Sequence, residues 1–241
     1  MQRFFLNTSI EDPQKIVIKD KDLVKKIIKV LRKQIGDTIF IFDSTNEEYE
    51  VQITAITSKE IICRLVSRVE IDRESPIEIN LYQALLKKDK LEWICQKNTE
   101  LGVRNIIPII TENCIVKDLN KNKAERYQKI INEATIQCGG KIPPKFGKAI
   151  EFNELMEKLN PNELNLIAHE DEKENKLIDI LKKCPVNKIN IFIGPEGGFT
   201  PEEISLAIRN SVIPVSLGKR ILRAETAAII ACGVISQLFA D

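Results

Sequence analysis

From Ile77 onward the chain alternates short apolar runs with longer runs whose apolar positions recur at helical spacing. The pattern predicts strands at Ile77–Ala84, Asn105–Ile110, Leu164–Ala168, Ile189–Ile193 and Pro214–Leu217. It predicts helices at Leu91–Glu100, Lys123–Gln137, Leu177–Lys183, Pro201–Arg209 and Ala224–Phe239. Strands separated by helices cannot pair as hairpins. They imply an α/β domain with a mainly parallel sheet and helices on both faces.

The residues before Asp72–Pro76 read differently. Thr38–Phe42, Tyr49–Ile56 and Glu60–Val69 carry the β-branched and aromatic residues of short strands, with turn signals at Gly36-Asp37 and Ser44-Thr45-Asn46. Leu23, Ile27, Ile28 and Leu31 recur at helical spacing, so Lys21–Arg32 is expected as a helix. Short strands with one helix point to a small β-barrel over residues 1–72, followed by the α/β domain over 73–241.

With 43% hydrophobic and 29% charged residues, the 241-residue chain can bury a core, and nothing marks it as disordered. The net charge of +1 forces no nucleic-acid partner. It hides a local bias, however. Lys15, Lys19, Lys21, Lys25, Lys26, Lys29, Arg32 and Lys33 are opposed in that stretch only by Asp20 and Asp22. Such a stripe attracts phosphates, or is simply a solvated helix face. The cysteines Cys63, Cys95, Cys114, Cys138, Cys184 and Cys232 form no CxxC pair and His169 is the single histidine, so no metal site is expected. Reduced thiols in a cytoplasmic protein are the simpler reading of irregular spacing without a leader pattern in Met1–Leu6. The longest apolar stretch, Ala227–Ile235, falls far short of the roughly twenty residues that span a bilayer.

Two loops carry the chemistry. Gly194-Pro195-Glu196-Gly197-Gly198-Phe199-Thr200-Pro201-Glu202-Glu203 follows an apolar strand and opens a helix. Thr200 can cap that helix, Pro201 suits its first position and Glu203 completes a capping box. The glycines let the backbone turn sharply and approach a ligand at the carboxyl end of a strand. A tight turn without a ligand is the plain alternative, though it leaves Glu196 unexplained. Neither GxGxxG nor a Walker A pattern is present, so nucleotide phosphates are not the obvious ligand. The second loop runs Leu217-Gly218-Lys219-Arg220-Ile221-Leu222-Arg223-Ala224-Glu225-Thr226-Ala227-Ala228 into a helix of small apolar residues. Charges between buried elements are costly unless they act or pair, so Arg223 and Glu225 are either functional or a structural pair.

Together the two loops resemble the signature of the RsmE family, the 16S rRNA uridine-N3 methyltransferases of the SPOUT superfamily. Arg3-Phe4-Phe5, Val30-Leu31-Arg32 with Gly36-Asp37, Lys97–Val103 with Ile106–Pro108, and Glu133-Ala134 with Gln137 resemble further family segments in order. The resemblance implies a trefoil-knotted C-terminal domain, a rare exception to ordinary topology. It also implies a PUA-like RNA-binding barrel, a homodimer, and S-adenosylmethionine as methyl donor without a metal. The partner implied is 16S rRNA in the small subunit. Donor contacts would come from His169, Glu170, Gly194, Pro195, Glu196, Gly197, Gly198, Leu217, Gly218, Ile221, Leu222, Ala224 and Thr226. Arg223 would stabilise the developing uracil anion, with Glu196 and Glu225 both candidates for the base. His169 can equally be structural. Lys25, Lys26, Arg32 and Lys141 would meet RNA phosphates. Two departures stand out: Asp22, Leu23 and Val24 occupy the neighbourhood of a family histidine, and Lys141 stands where an arginine is common, without arginine's planar fork.

Three other readings fit the sequence less well. A ribose 2′-O-methyltransferase of the same superfamily would carry a different, Asn-rich signature. A non-catalytic RNA-binding assembly factor would need no paired loops of this kind. A nucleotide-dependent α/β enzyme would need phosphate motifs.

Overall fold

The computed structural model describes residues 3–6, 8–45, 47–69, 73–87, 89–184 and 186–239. The expected turn residue Asn46, the expected boundary residue Asp72 and the opening Met1-Gln2 lie outside these. The chain forms two compact units: Met1–Arg73 with Ile136–Ile142, and Glu74–Thr135 with Pro143–Asp241.

The first unit is a five-stranded sheet of β1 (Arg3–Phe5), β2 (Ile16–Ile18), β3 (Thr38–Phe42), β4 (Glu48–Ile56) and β5 (Ile61–Val69), in the order β1-β3-β4-β5-β2. β1 runs parallel to β3 and the other pairs are antiparallel. β1 and β2 have three residues each, too short for alternation to reveal them from sequence. Ile39, Ile41, Val51, Ile53 and Ile61 alternate inward and meet Val24 and Ile27. The expected helix begins on schedule as α1 (Lys21–Lys25), with Asp20 capping Leu23 N–H. It then widens into a π-helical turn, Lys26–Val30, closed by Leu31 N–H on Lys26 O at 3.0 Å. The chain leaves at Arg32, whose φ of 53° is a left-handed conformation uncommon for a residue with a Cβ. Glu48, fully buried, accepts from Arg3 Nε at 2.7 Å and lies 3.4 Å from Arg73 Nη1. Asp43 fastens the β3–β4 turn by accepting from the Thr45 side chain and from the N–H groups of Ile10, Thr45 and Glu47.

The second unit holds β6 (Glu78–Ala84), α2 (Lys90–Glu100), β7 (Asn105–Ile110), α3 (Lys121–Cys138, of which Ile136–Cys138 belong to the first unit), β8 (Lys145–Phe146), β9 (Ile150–Glu151), α4 (Phe152–Lys158), β10 (Leu164–Ala168), α5 (Leu177–Leu181), β11 (Lys188–Ile193), α6 (Pro201–Arg209), β12 (Val212–Val215) and α7 (Ala224–Leu238). Its sheet runs β12-β10-β11-β6-β7-β8, with β9 also on β7, and every pair is parallel. This is the α/β architecture that the alternation requires. The expected strand at Pro214–Leu217 sits two residues earlier, because Ser216 keeps only a single bridge to Lys176 before the chain leaves the sheet. α4, β8 and β9 were not foreseen. α4 has seven residues, and the two strands have two each.

One polar row crosses this sheet. Asn105, Asn80, Asn190 and Asn165 face one another in register on β7, β6, β11 and β10. Each amide donates to the next: Asn105 to Asn80 at 2.6 Å, Asn80 to Asn190 at 2.9 Å and Asn190 to Asn165 at 2.7 Å. Glu163 accepts from Asn190 at 2.8 Å and is itself bridged to Lys188 at 3.1 Å. A one-residue slip of any strand would break the row, so it fixes register where apolar side chains alone would not.

Candidate active site

The strand order places β12, β10 and β11 side by side, so the loops leaving their carboxyl ends meet at one end of the sheet. They form a cleft of about 430 Å³, a size suited to a small ligand.

The loop after β11 is shaped by what surrounds its glycines. A Cβ at Gly194 would stand 3.1 Å from the ring of Phe199. Phe199 is buried 5.3 Å from Phe152, which meets Phe192 of β11 edge-on at 6.4 Å. Gly198 adopts φ +68°, and a Cβ there would lie 2.6 Å from a Glu170 carboxylate oxygen. Asn113 Nδ2, from the loop after β7, donates to the carbonyls of Gly197 and Gly198 at 3.0 and 3.2 Å. The capping box at Thr200 and Glu203 is formed as expected, and Glu203 also accepts from Glu112 N–H at 2.9 Å.

The loop after β12 carries exposed Lys219, Arg220, Ile221 and Arg223, with Leu217 and Leu222 half-buried beneath them. Gly218 turns it at φ +129°. Arg223 is the N-cap residue of α7 and makes no side-chain cap bond. α7 buries Ala224, Ala227, Ala228, Ala231 and Cys232, which anchors the loop's far end in the core.

Of the residues expected to contact the donor, His169, Glu170, Gly194, Pro195, Glu196, Gly198, Leu217, Gly218, Ile221, Leu222 and Ala224 line this cleft, as does Arg223. Gly197 instead backs onto Asn113, and Thr226 is exposed on α7 outside the lining. Glu225 stands behind the lining and reaches Lys90, not Arg223. Among the described residues Arg223 has no ion-pair partner, so the structural Arg223–Glu225 pair is not formed. Lys25, Lys26 and Arg32 are exposed in the first unit, and Lys141 is half-buried within the 136–142 segment.

Lys90 is the residue that sequence reasoning missed. Its ammonium lies 2.8 Å from Glu196 Oε1 and 3.6 Å from Glu225 Oε2. A cation in the first turn of a helix opposes the helix dipole, and that misfit was the signal available in the sequence. Burial pushes the Glu196 carboxyl up, but the hydrogen bond from Lys90, backbone N–H bonds and the Lys90 charge outweigh it and hold it below the usual carboxylate range. The bond to Glu196 likewise holds Lys90 above the usual lysine value. Two buried polar atoms at the site, Glu225 Oε2 and His169 Nδ1, have no hydrogen-bond partner among the described residues. Ala168, Ile193 and Ser216, outside both motifs, also line the cleft.

Residues 73–236 match the model of the RNA methyltransferase domain, and residues 27–66 match that of the RNA methyltransferase PUA domain. The chain is 34% identical to ribosomal RNA small subunit methyltransferase E of Rickettsia conorii, over 98% of this chain and 95% of that protein. The namesake from Bacillus subtilis is 30% identical over 98% and 96%. The chain belongs to the ribosomal RNA small subunit methyltransferase E family. The crystal structure of the family's Neisseria gonorrhoeae member, bound to S-adenosyl methionine, superposes with a TM-score of 0.89 at 31% identity, covering 99% of this chain and 98% of that one. Membership fixes the second unit as an RNA methyltransferase domain. It fixes the sheet of the first unit as PUA-type, with β3, β4 and all of the π-helical turn but Lys26 inside the matched span. Among the described residues no helix is long and apolar enough to cross a membrane.

Proposed function

We propose that this protein methylates N3 of a uridine in 16S rRNA, taking the methyl group from S-adenosylmethionine and acting on the assembled 30S subunit in the cytoplasm. Residues 1–72 form the RNA-binding barrel and residues 73–241 the knotted catalytic domain, which works as a homodimer. The observation that carries the reading is the cleft itself. Two signature loops, leaving the ends of β11 and β12, line one cleft, with Arg223 on its wall and without an ion-pair partner among the described residues.

The residues present fit the donor. Ile193, Pro195, Phe199, Leu217 and Leu222 offer an apolar wall for a purine, and the backbone of the glycine loop and of Leu217–Ala224 offers polar groups for its edge and the ribose. His169 Nδ1, on the cleft lining and without a hydrogen-bond partner among the described residues, can donate or accept according to its tautomer. The donor supplies an already activated methyl group, so the protein's tasks are positioning and charge stabilisation. Arg223, exposed and without an ion-pair partner among the described residues, neutralises the charge that grows on the uracil carbonyls as N3 loses its proton. Glu196, whose carboxyl Lys90 holds below the usual carboxylate range, and Glu225 are the two carboxylates available to take the N3 proton. Exposed Lys25, Lys26 and Arg32 hold backbone phosphates, contacts that position without specifying sequence. Exposed Trp93 on α2 and Ile230 on α7 give the homodimer an apolar surface.

Purified protein incubated with labelled S-adenosylmethionine and small subunits lacking the modification, followed by digestion to nucleosides, tests the reading. Label in 3-methyluridine is the expected result. Label in another nucleoside overturns the N3 assignment, and absence of both donor binding and transfer leaves the non-catalytic assembly factor.

A further inference from the structure

Three charged groups from three separate segments meet beside the cleft: Lys90 of α2 and Glu196 of the loop after β11 on its wall, and Glu225 of α7 behind Lys90. Lys90 and Glu196 are each about one-third exposed, whereas the Glu225 side chain is 16% exposed and its Oε2 is buried without a hydrogen bond. Two carboxylates against one ammonium leave a single net negative charge. Without Lys90 the two carboxylates would face each other and the ligand unopposed.

We propose that Lys90 is a positioning and specificity residue: it clamps Glu196 and Glu225 into one cluster whose residual negative charge favours the cationic methyl donor over the neutral demethylated product. The inference rests on the methyltransferase reading above. S-Adenosylmethionine carries a sulfonium, an ammonium and a carboxylate, for a net charge of +1. Its product, S-adenosylhomocysteine, has lost the sulfonium charge and is neutral. The two otherwise share the same atoms except for the transferred methyl, so the ratio of their affinities reports the field at the reacting sulfur. His169, Glu170, Lys219, Arg220 and Arg223 also line the cleft. They face both ligands in every variant, so they cancel when ratios are compared. Lys90 limits the grip on the donor while tying the two loops together, and it leaves the wall almost indifferent to the product once the methyl group has gone.

The test is equilibrium binding of S-adenosylmethionine and S-adenosylhomocysteine to the full chain by calorimetry, at low and high salt. In Lys90→Met the preference for donor over product should rise about fivefold, the Coulomb effect of one unit charge at roughly 8 Å and an effective dielectric constant of about 40. The increase should shrink as salt screens it. Lys90→Arg should restore the wild-type ratio. Glu196→Gln should move the ratio the other way by a similar factor, which keeps the idea testable if Lys90→Met folds poorly. A lysine that only braces the loops would weaken both ligands equally, and an unchanged ratio in both Lys90→Met and Glu196→Gln overturns the proposal. Failure of the unaltered protein to bind either ligand would instead sink the methyltransferase reading on which it rests.

Discussion

Replacing Asn190 with alanine removes the centre of the asparagine row, and its cost can be worked bond by bond. Asn190 donates to Asn165 at 2.7 Å and to Glu163 at 2.8 Å, and accepts from Asn80 at 2.9 Å. At about 1 kcal/mol net for each bond the loss is about 3 kcal/mol. The partners left behind are unequal. Asn80 keeps Glu78 at 3.2 Å, and Glu163 keeps Lys188. Asn165, 1% exposed, is left with an unpaired carbonyl oxygen, which adds about 1 kcal/mol or more. The total of about 4 kcal/mol corresponds to a fall of roughly 10 °C in Tm for a chain of this size. Urea denaturation followed by Trp93, the one tryptophan, reads the second unit directly. Asn190→Asp should cost more than alanine, since it sets a carboxylate against the Asn165 oxygen and Glu163. Asn105→Ala, at the half-buried end of the row, removes one bond and leaves the buried Asn80 carbonyl oxygen unpaired, so it should cost about 2 kcal/mol. A loss below about 1 kcal/mol in Asn190→Ala, or an aspartate no worse than the alanine, would refute the account of the row as a cooperative buried network.

Three further outcomes follow. Arg223→Ala should cut methyl transfer at least a hundredfold, the usual scale for removing one stabiliser of a developing anion, with far-ultraviolet dichroism and donor affinity little changed; full activity would remove Arg223 from the mechanism. Lys25→Ala with Lys26→Ala should weaken binding to small subunits and lower the slope of log K against log salt by about 2, measured by filter binding, and an unchanged slope would take this turn off the RNA surface. Asp43 gives a pH effect of definite sign. Burial raises its carboxyl, but bonds from Thr45, Ile10 and Glu47 outweigh that and hold it below the ordinary aspartate value. The folded pKa is therefore depressed, so its stabilisation is full above the ordinary value and is lost as pH falls through and below it. Protection of β3 and β4 amides, taken relative to intrinsic exchange at each pH, should fall across that acid window, and Asp43→Asn should abolish the dependence; the same acid limb in both proteins would reject the assignment.

What the sequence made legible was whatever local chemistry determines. The parallel domain followed from alternation, because crossover helices are obligatory between parallel strands. The start of α6 followed from Thr200, Pro201 and Glu203, whose capping is a contact among near neighbours. The glycine loop was visible, but its reasons were not. Gly194 answers to Phe199, yet Gly197 answers to Asn113 and Gly198 to Glu170, and no local rule links such distant positions. Lys90 stayed hidden for the same cause, since its partners lie 106 and 135 residues further on (Glu196 and Glu225). The π-helical turn was read as plain helix because Leu23, Ile27 and Leu31 keep helical spacing, and one widened turn hardly disturbs that pattern.

The strand order also sets a timetable. β6 and β7 are made first, β11 must dock against β6, and β10, made earlier than β11, then lies between β11 and β12. The cleft draws on residues from Lys90 to Ala227, and the segment that completes it is anchored only when α7 has packed. At synthesis rates of roughly 5–20 residues per second, the early strands wait about ten seconds or more for that closure. A nascent chain therefore holds no donor site until nearly all of the second unit has emerged, and ligand capture becomes a late event that reports a finished fold.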